Sequence, residues 1–176
     1  EAFLCYRKAL QLAKDRYEGF TARNNLGNLY ARCGQPEQAM AEFQQCLALN
    51  RFERGMTYNN IGLCLRDLGR AGEAEESYIR ALEVDPRLIQ GYLNLGGLWF
   101  RQGRREASGL LFEKATRLDP DHPLACLLLG KFYISEGQFG QALPVFRHLV
   151  TLTPRQPEPH LYAAISALRM EPPREE

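Results

Sequence analysis

A four-part motif recurs along this chain with a period near 34 residues, and no other feature restricts the fold as much. Each copy opens with a Leu/Ile-Gly pair followed three residues later by a large side chain: Leu26-Gly27 with Tyr30, Ile61-Gly62 with Leu65, Leu95-Gly96 with Trp99, and Leu129-Gly130 with Tyr133. Successive first glycines are 35, 34 and 34 residues apart, and seven residues beyond each stands another, at Gly34, Gly69, Gly103 and Gly137. A small residue follows (Ala39, Ala74, Ser108, Ala142), and four positions later an aromatic (Phe43, Tyr78, Phe112, Phe146). Pro86, Pro120 and Pro154 close the last three copies.

Each element of the motif has a physical cause. Leu26 and Tyr30, at i and i+4, lie on one helical stripe that needs a partner to bury it. Glycine costs about 1 kcal/mol inside a helix, so its return beside that stripe predicts close approach of a neighbouring helix. The second glycine fits the left-handed position that ends a helix. Proline, which lacks a donor and restricts the residue before it, ends the next one. The spacing predicts first helices over 20–33, 55–68, 89–102 and 123–136, and second helices over 36–49, 71–84, 105–118 and 139–152.

This pattern closely resembles the tetratricopeptide repeat family over nearly the whole chain. The resemblance implies an all-α solenoid: antiparallel helix pairs, about ten helices in all, stacked into a right-handed superhelix with the first helices lining its concave side. The expected layout is a single array over 1–169. It comprises a partial repeat at 1–14, full repeats at 20–53, 55–88, 89–122 and 123–156, a terminal helix at 157–169, and a linker or disordered tail at 170–176. Ala2, Tyr6 and Ala9 match a second helix whose first is absent, and Asp15–Gly19 reads as a lengthened junction. Two departures stand out. Arg51 occupies a proline position, and Pro144 falls early in a second helix, where only the first turn would tolerate it.

Charge and composition exclude some classes of function. A formal net charge of +1 on 176 residues predicts no nucleic-acid partner. No apolar run approaches the roughly 20 residues that span a bilayer, so no membrane insertion is expected. The chain opens on Glu1 with neither an initiating Met nor a signal layout, and reads as a piece of something longer. Its cysteines, Cys5, Cys33, Cys46, Cys64 and Cys126, are odd in number and scattered, which predicts buried or half-buried free thiols, a reducing compartment and cytoplasmic residence.

Nothing in the sequence points to catalysis, a metal or a cofactor. Phosphate loops, dinucleotide fingerprints and His-Glu-x-x-His are all missing. His122 lies between repeats with Asp121 or a neighbour capping the next helix, His148 falls late in a second helix, and His160 falls at a packing position of the terminal one.

The expected function is therefore non-catalytic binding of a protein or peptide in the concave groove, as scaffold or adaptor. The residues before the Leu/Ile-Gly pairs are Asn25, Asn60, Asn94 and then Leu128. The family resemblance places them on the concave wall, where asparagines grip a peptide main chain. A carboxamide suits that task because it donates and accepts at once. Asn24, Asn28, Asn59 and Gln90 add polarity, while Arg32, Arg66, Arg101 and Lys131, opposed by Asp67, would favour an acidic peptide or a free C-terminal carboxylate. Leu124, Leu127, Leu128 and Ile134 predict an apolar stretch of groove, continued by Leu161, Tyr162, Ile165 and Leu168. Two alternatives stand beside this reading. One is a targeting or assembly module of a larger enzyme or transport machine. The other is a structural spacer that forms homo-oligomers through its incomplete terminal repeats.

Overall fold

The structure, a computed structural model, describes residues 1–49 and 54–170. The described residues form ten α-helices and no strand: α1 (Ala2–Leu12), α2 (Arg16–Arg32), α3 (Pro36–Leu49), α4 (Arg54–Asp67), α5 (Ala71–Val84), α6 (Ile89–Arg101), α7 (Arg105–Leu118), α8 (Pro123–Ser135), α9 (Phe139–Leu152) and α10 (Pro157–Met170). The chain forms two compact units, Glu1–Leu98 and Trp99–Glu176, divided within α6.

In the first unit the repeat glycines allow two helices to meet. A Cβ on Gly27 would lie 2.7 Å from the Phe43 ring, and one on Gly62 would lie 2.6 Å from Tyr78. Gly27 faces Phe43 while the Cys46 thiol reaches the Phe20 carbonyl, so α2 and α3 run antiparallel. Gly62 against Tyr78 and Gly55 against Asp85 give the same sense to α4 and α5. Leu26, Phe43, Cys46, Ile61, Tyr78 and Ala81 on these helices are buried.

The second unit repeats the device, with Gly130 against Phe146 joining α8 to α9. Its core groups Cys126, Ala142, Phe146 and Leu149, flanked by Leu127, Tyr133, Ile134 and Tyr162. Tyr162 of α10 stacks on Phe146 at 5.0 Å between centroids.

Each first helix ends as its glycine predicts. Gly34, Gly69, Gly103 and Gly137 have φ between 70° and 79°. At Gly69 the amide donates to Arg66 O (3.0 Å) and that of Arg70 to Leu65 O (2.9 Å), which satisfies two carbonyls the helix leaves open.

Several expectations need correction. Asp15–Gly19 is not a lengthened junction: Asp15 Oδ1 accepts from the amides of Tyr17 and Glu18 at 2.8 Å, and the helix begins at Arg16. The extra residues therefore lengthen α2. Pro144 lies in the second turn of α9, beyond the position thought tolerable. Both Pro144 and Gly140, whose carbonyl the missing N–H would have served, are exposed, so water can serve that carbonyl instead. His160 is exposed rather than packed. Cys5 and Cys33 are exposed, while Cys46, Cys64 and Cys126 are buried. Burial is the main cause that pushes the Cys64 thiol up to about 11, with Asp67 adding to it. Met170, expected in the tail, ends α10, and the rest of the tail and Arg51 lie outside the described residues.

Candidate functional site

The even-numbered helices α2 to α8 carry the ten principal positions nominated from sequence, and within each unit their surroundings differ. In the first unit Asn25 of α2 and Asn60 of α4 are half-buried, and their side chains make no hydrogen bond to any described residue. A helix interior satisfies its own main chain, so these carboxamides keep their full donor and acceptor capacity. Asn25 lines a cleft of about 360 Å³ together with Tyr6, Leu12, Tyr17 and Thr21. The repeat motif does not announce that cleft, since α1 reads there as half of a repeat; Tyr6, Ala9 and Leu12, spaced i, i+3 and i+6 along α1, are the available signal.

Asn94 of α6 is different. Its Nδ2 donates to Asn59 Oδ1 at 2.8 Å, across α6 and α4. Asn59 is only 2% exposed, so it ties two first helices together and offers nothing to a ligand. Asn94 keeps one N–H and its own oxygen. Asn24, expected to add groove polarity, has a buried Oδ1 without a partner. Asn28, Gln90 and Arg32 are exposed. Arg66 is neutralised by its neighbour, with Nε and Nη2 reaching Asp67 Oδ1 at 3.0 and 2.7 Å.

In the second unit Arg101 is exposed at the end of α6. Lys131 is engaged: its Nζ lies 2.6 Å from Glu158 Oε1 and 5.1 Å from the Tyr162 ring centre, tying α8 to α10. That hydrogen bond to Glu158 is the first cause that raises the Lys131 pKa. Leu127 packs against the α8–α9 core, and Leu128 is half-buried. Leu124, Leu161 and Leu168 are exposed, whereas Tyr162 is spent on Phe146.

Among the described residues no group of three or more His, Cys, Asp or Glu is placed to hold a metal ion, and no helix is long and apolar enough to cross a membrane. The histidines have structural partners. His122 caps α8 by accepting from the Ala125 amide (3.2 Å), His148 Nε2 meets Asp121 Oδ1 (2.9 Å), and His160 Nε2 lies 3.2 Å from Pro154 O.

Three family models described as tetratricopeptide repeat match residues 20–51, 56–88 and 100–168. The chain is 25% identical over 150 residues to the tetratricopeptide repeat-containing protein trd-1 of Caenorhabditis elegans, covering 85% of this chain but 19% of that protein. The fold is similar to that of PilF from Pseudomonas aeruginosa, with a TM-score of 0.77, 24% identity, and coverage of 88% of this chain and 70% of the other. It is also similar to YrrB, described as a TPR protein with an unusual peptide-binding site, with a TM-score of 0.62, 22% identity and coverage of 94% and 81%.

Proposed function

The chain belongs to the tetratricopeptide repeat family, and from that premise we propose that it is a non-catalytic scaffold or adaptor module whose first-helix face grips an extended segment of a partner protein. The observation that carries this reading is the pair Asn25 and Asn60, which hold the same repeat position, are half-buried, and have side chains without a hydrogen bond to any described residue. Paired with a peptide's N–H and C=O, each would add about 0.5–1.5 kcal/mol without reading side chains. Asn94 contributes its remaining oxygen and N–H. With Arg66 spent on Asp67, the exposed Arg32 is left as the first unit's candidate for an acidic side chain or a terminal carboxylate. No disulfide joins any of the five cysteines, all of them described residues, which fits a reducing compartment such as the cytoplasm.

The test uses peptides selected from a randomised display library against the intact chain. Asn25→Ala/Asn60→Ala should weaken the selected peptides by about 1–3 kcal/mol in total while the helical circular dichroism persists. Asn94→Ala is the poorer probe, because it strands the buried oxygen of Asn59 and so mixes binding with stability. Equal affinity for the double variant and the parent would reject the proposal.

A further inference from the structure

Along the four repeats, the residue thirteen places after each first glycine is Met40, Glu75, Gly109 and Leu143. The third repeat alone has no side chain there. Across from it, Phe132 replaces the Leu29, Cys64 and Leu98 of the other first helices, and its ring takes part of the vacated room, 2.5 Å from where a Gly109 Cβ would sit. What remains is a cleft of about 350 Å³ between α7 and α8, wholly within the second unit. Gly109, Phe132 and Tyr133 line it, and Leu110 is 61% exposed at its edge.

The rim is acidic. Glu106, Glu113 and Glu136 surround the aromatic floor. Glu136 is paired with Arg105 (2.5 Å). Glu113 accepts from Tyr133 Oη at 3.2 Å and lies a loose 3.8 Å from Arg117. Glu106 is exposed and has no partner among the described residues. The unit twice builds a trio of cation, aromatic ring and carboxylate from its own residues. Arg105 lies 5.2 Å from the Phe100 ring centre and pairs with Glu136, and Lys131 lies 5.1 Å from that of Tyr162 and pairs with Glu158. The cleft assembles the ring and the carboxylates a third time, and among the described residues no cation lies over that ring.

We propose that this cleft between α7 and α8 binds an arginine side chain of a partner protein, distinct from the asparagine face and independent of it. A guanidinium is flat enough to lie on the half-buried Tyr133 ring beside the edge of the buried Phe132, which is tilted 52° from it, and can present two N–H donors to Glu106 and Glu113, so charge and shape agree. Lysine shares the charge without the flat fork and binds less well.

The probes are acetylated, amidated pentapeptides Ala-Ala-X-Ala-Ala with X as Arg, Lys, Gln or Glu, titrated into the 15N-labelled chain. The Arg peptide should move the amide signals of Glu106, Gly109 and Leu110, the Lys peptide should do so at about two- to fivefold higher concentration, and the Gln and Glu peptides should not move them. Glu106→Gln/Glu113→Gln keeps size and the Tyr133 hydrogen bond; it should weaken the Arg peptide about three- to tenfold and flatten its salt dependence. Leu110→Ser, on the exposed edge, is a second variant that leaves the core intact and should weaken the same peptide. Equal response to the Arg and Gln peptides, shifts confined to other helices, or full affinity in the charge-removed variant would each overturn the proposal.

Discussion

Gly62 shows how much a single missing side chain determines. Its hydrogen faces the Tyr78 ring, which is fully buried and cannot retreat, and an added Cβ would lie 2.6 Å from it. In an open helix Gly→Ala gains about 1 kcal/mol of propensity. Here overpacking costs about 1–3 kcal/mol, so Gly62→Ala should lower the melting temperature. Alanine at the exposed Gly72, with nothing within 4 Å, should raise it slightly. Equal or higher stability of the Gly62 variant would contradict the close-approach reading. Sequence alone located these glycines because their spacing repeats. It could not distinguish Asn60 from Asn59, adjacent residues of which one keeps a free carboxamide and the other is sealed under α6. Nor did spacing show that Cys5 and Cys33 face outward, since thiols behave as small hydrophobes in a composition argument.

For the helices, legibility follows the strength of the local signal. Second helices α3, α5, α7 and α9 begin two residues past a left-handed glycine, and their limits were readable from that mark. The start of α2 was not, because Asp15 as a cap looks like an ordinary turn residue until its Oδ1 is seen to meet two amides. The place of Pro144 is hidden from sequence for a related reason. The cost of an interior proline depends on whether the abandoned carbonyl meets water, and exposure is not written in the sequence. Because Gly140 is exposed, water can reach its carbonyl, which still lacks its helical donor, so Pro144→Ala should stabilise α9 by about 1–2 kcal/mol, net of the chain entropy that proline removes. Chemical denaturation of the parent and the variant measures this. A destabilised variant would show that the ring packs usefully where it stands.

On the scale of the whole molecule, four glycine-marked copies and their flanking helices made the all-helical architecture readable from sequence, while the division into two units inside α6 was not, since the motif is as regular there as elsewhere. Side-chain pairing across helices was equally hidden. Arg66 and Lys131 look alike as surface cations, but each already has a carboxylate in its own unit, so neither offers a free charge. The claim that matters most is that Asn25 and Asn60 meet a partner's main chain. Side-chain amide 1H–15N spectra, recorded with and without a saturating display-selected peptide, test it most directly. Large shifts are expected for the carboxamides of Asn25 and Asn60, and a smaller one for Asn94, whose amide already donates to Asn59. Saturation with those signals unmoved, and the changes confined to α3 and α5, would contradict it.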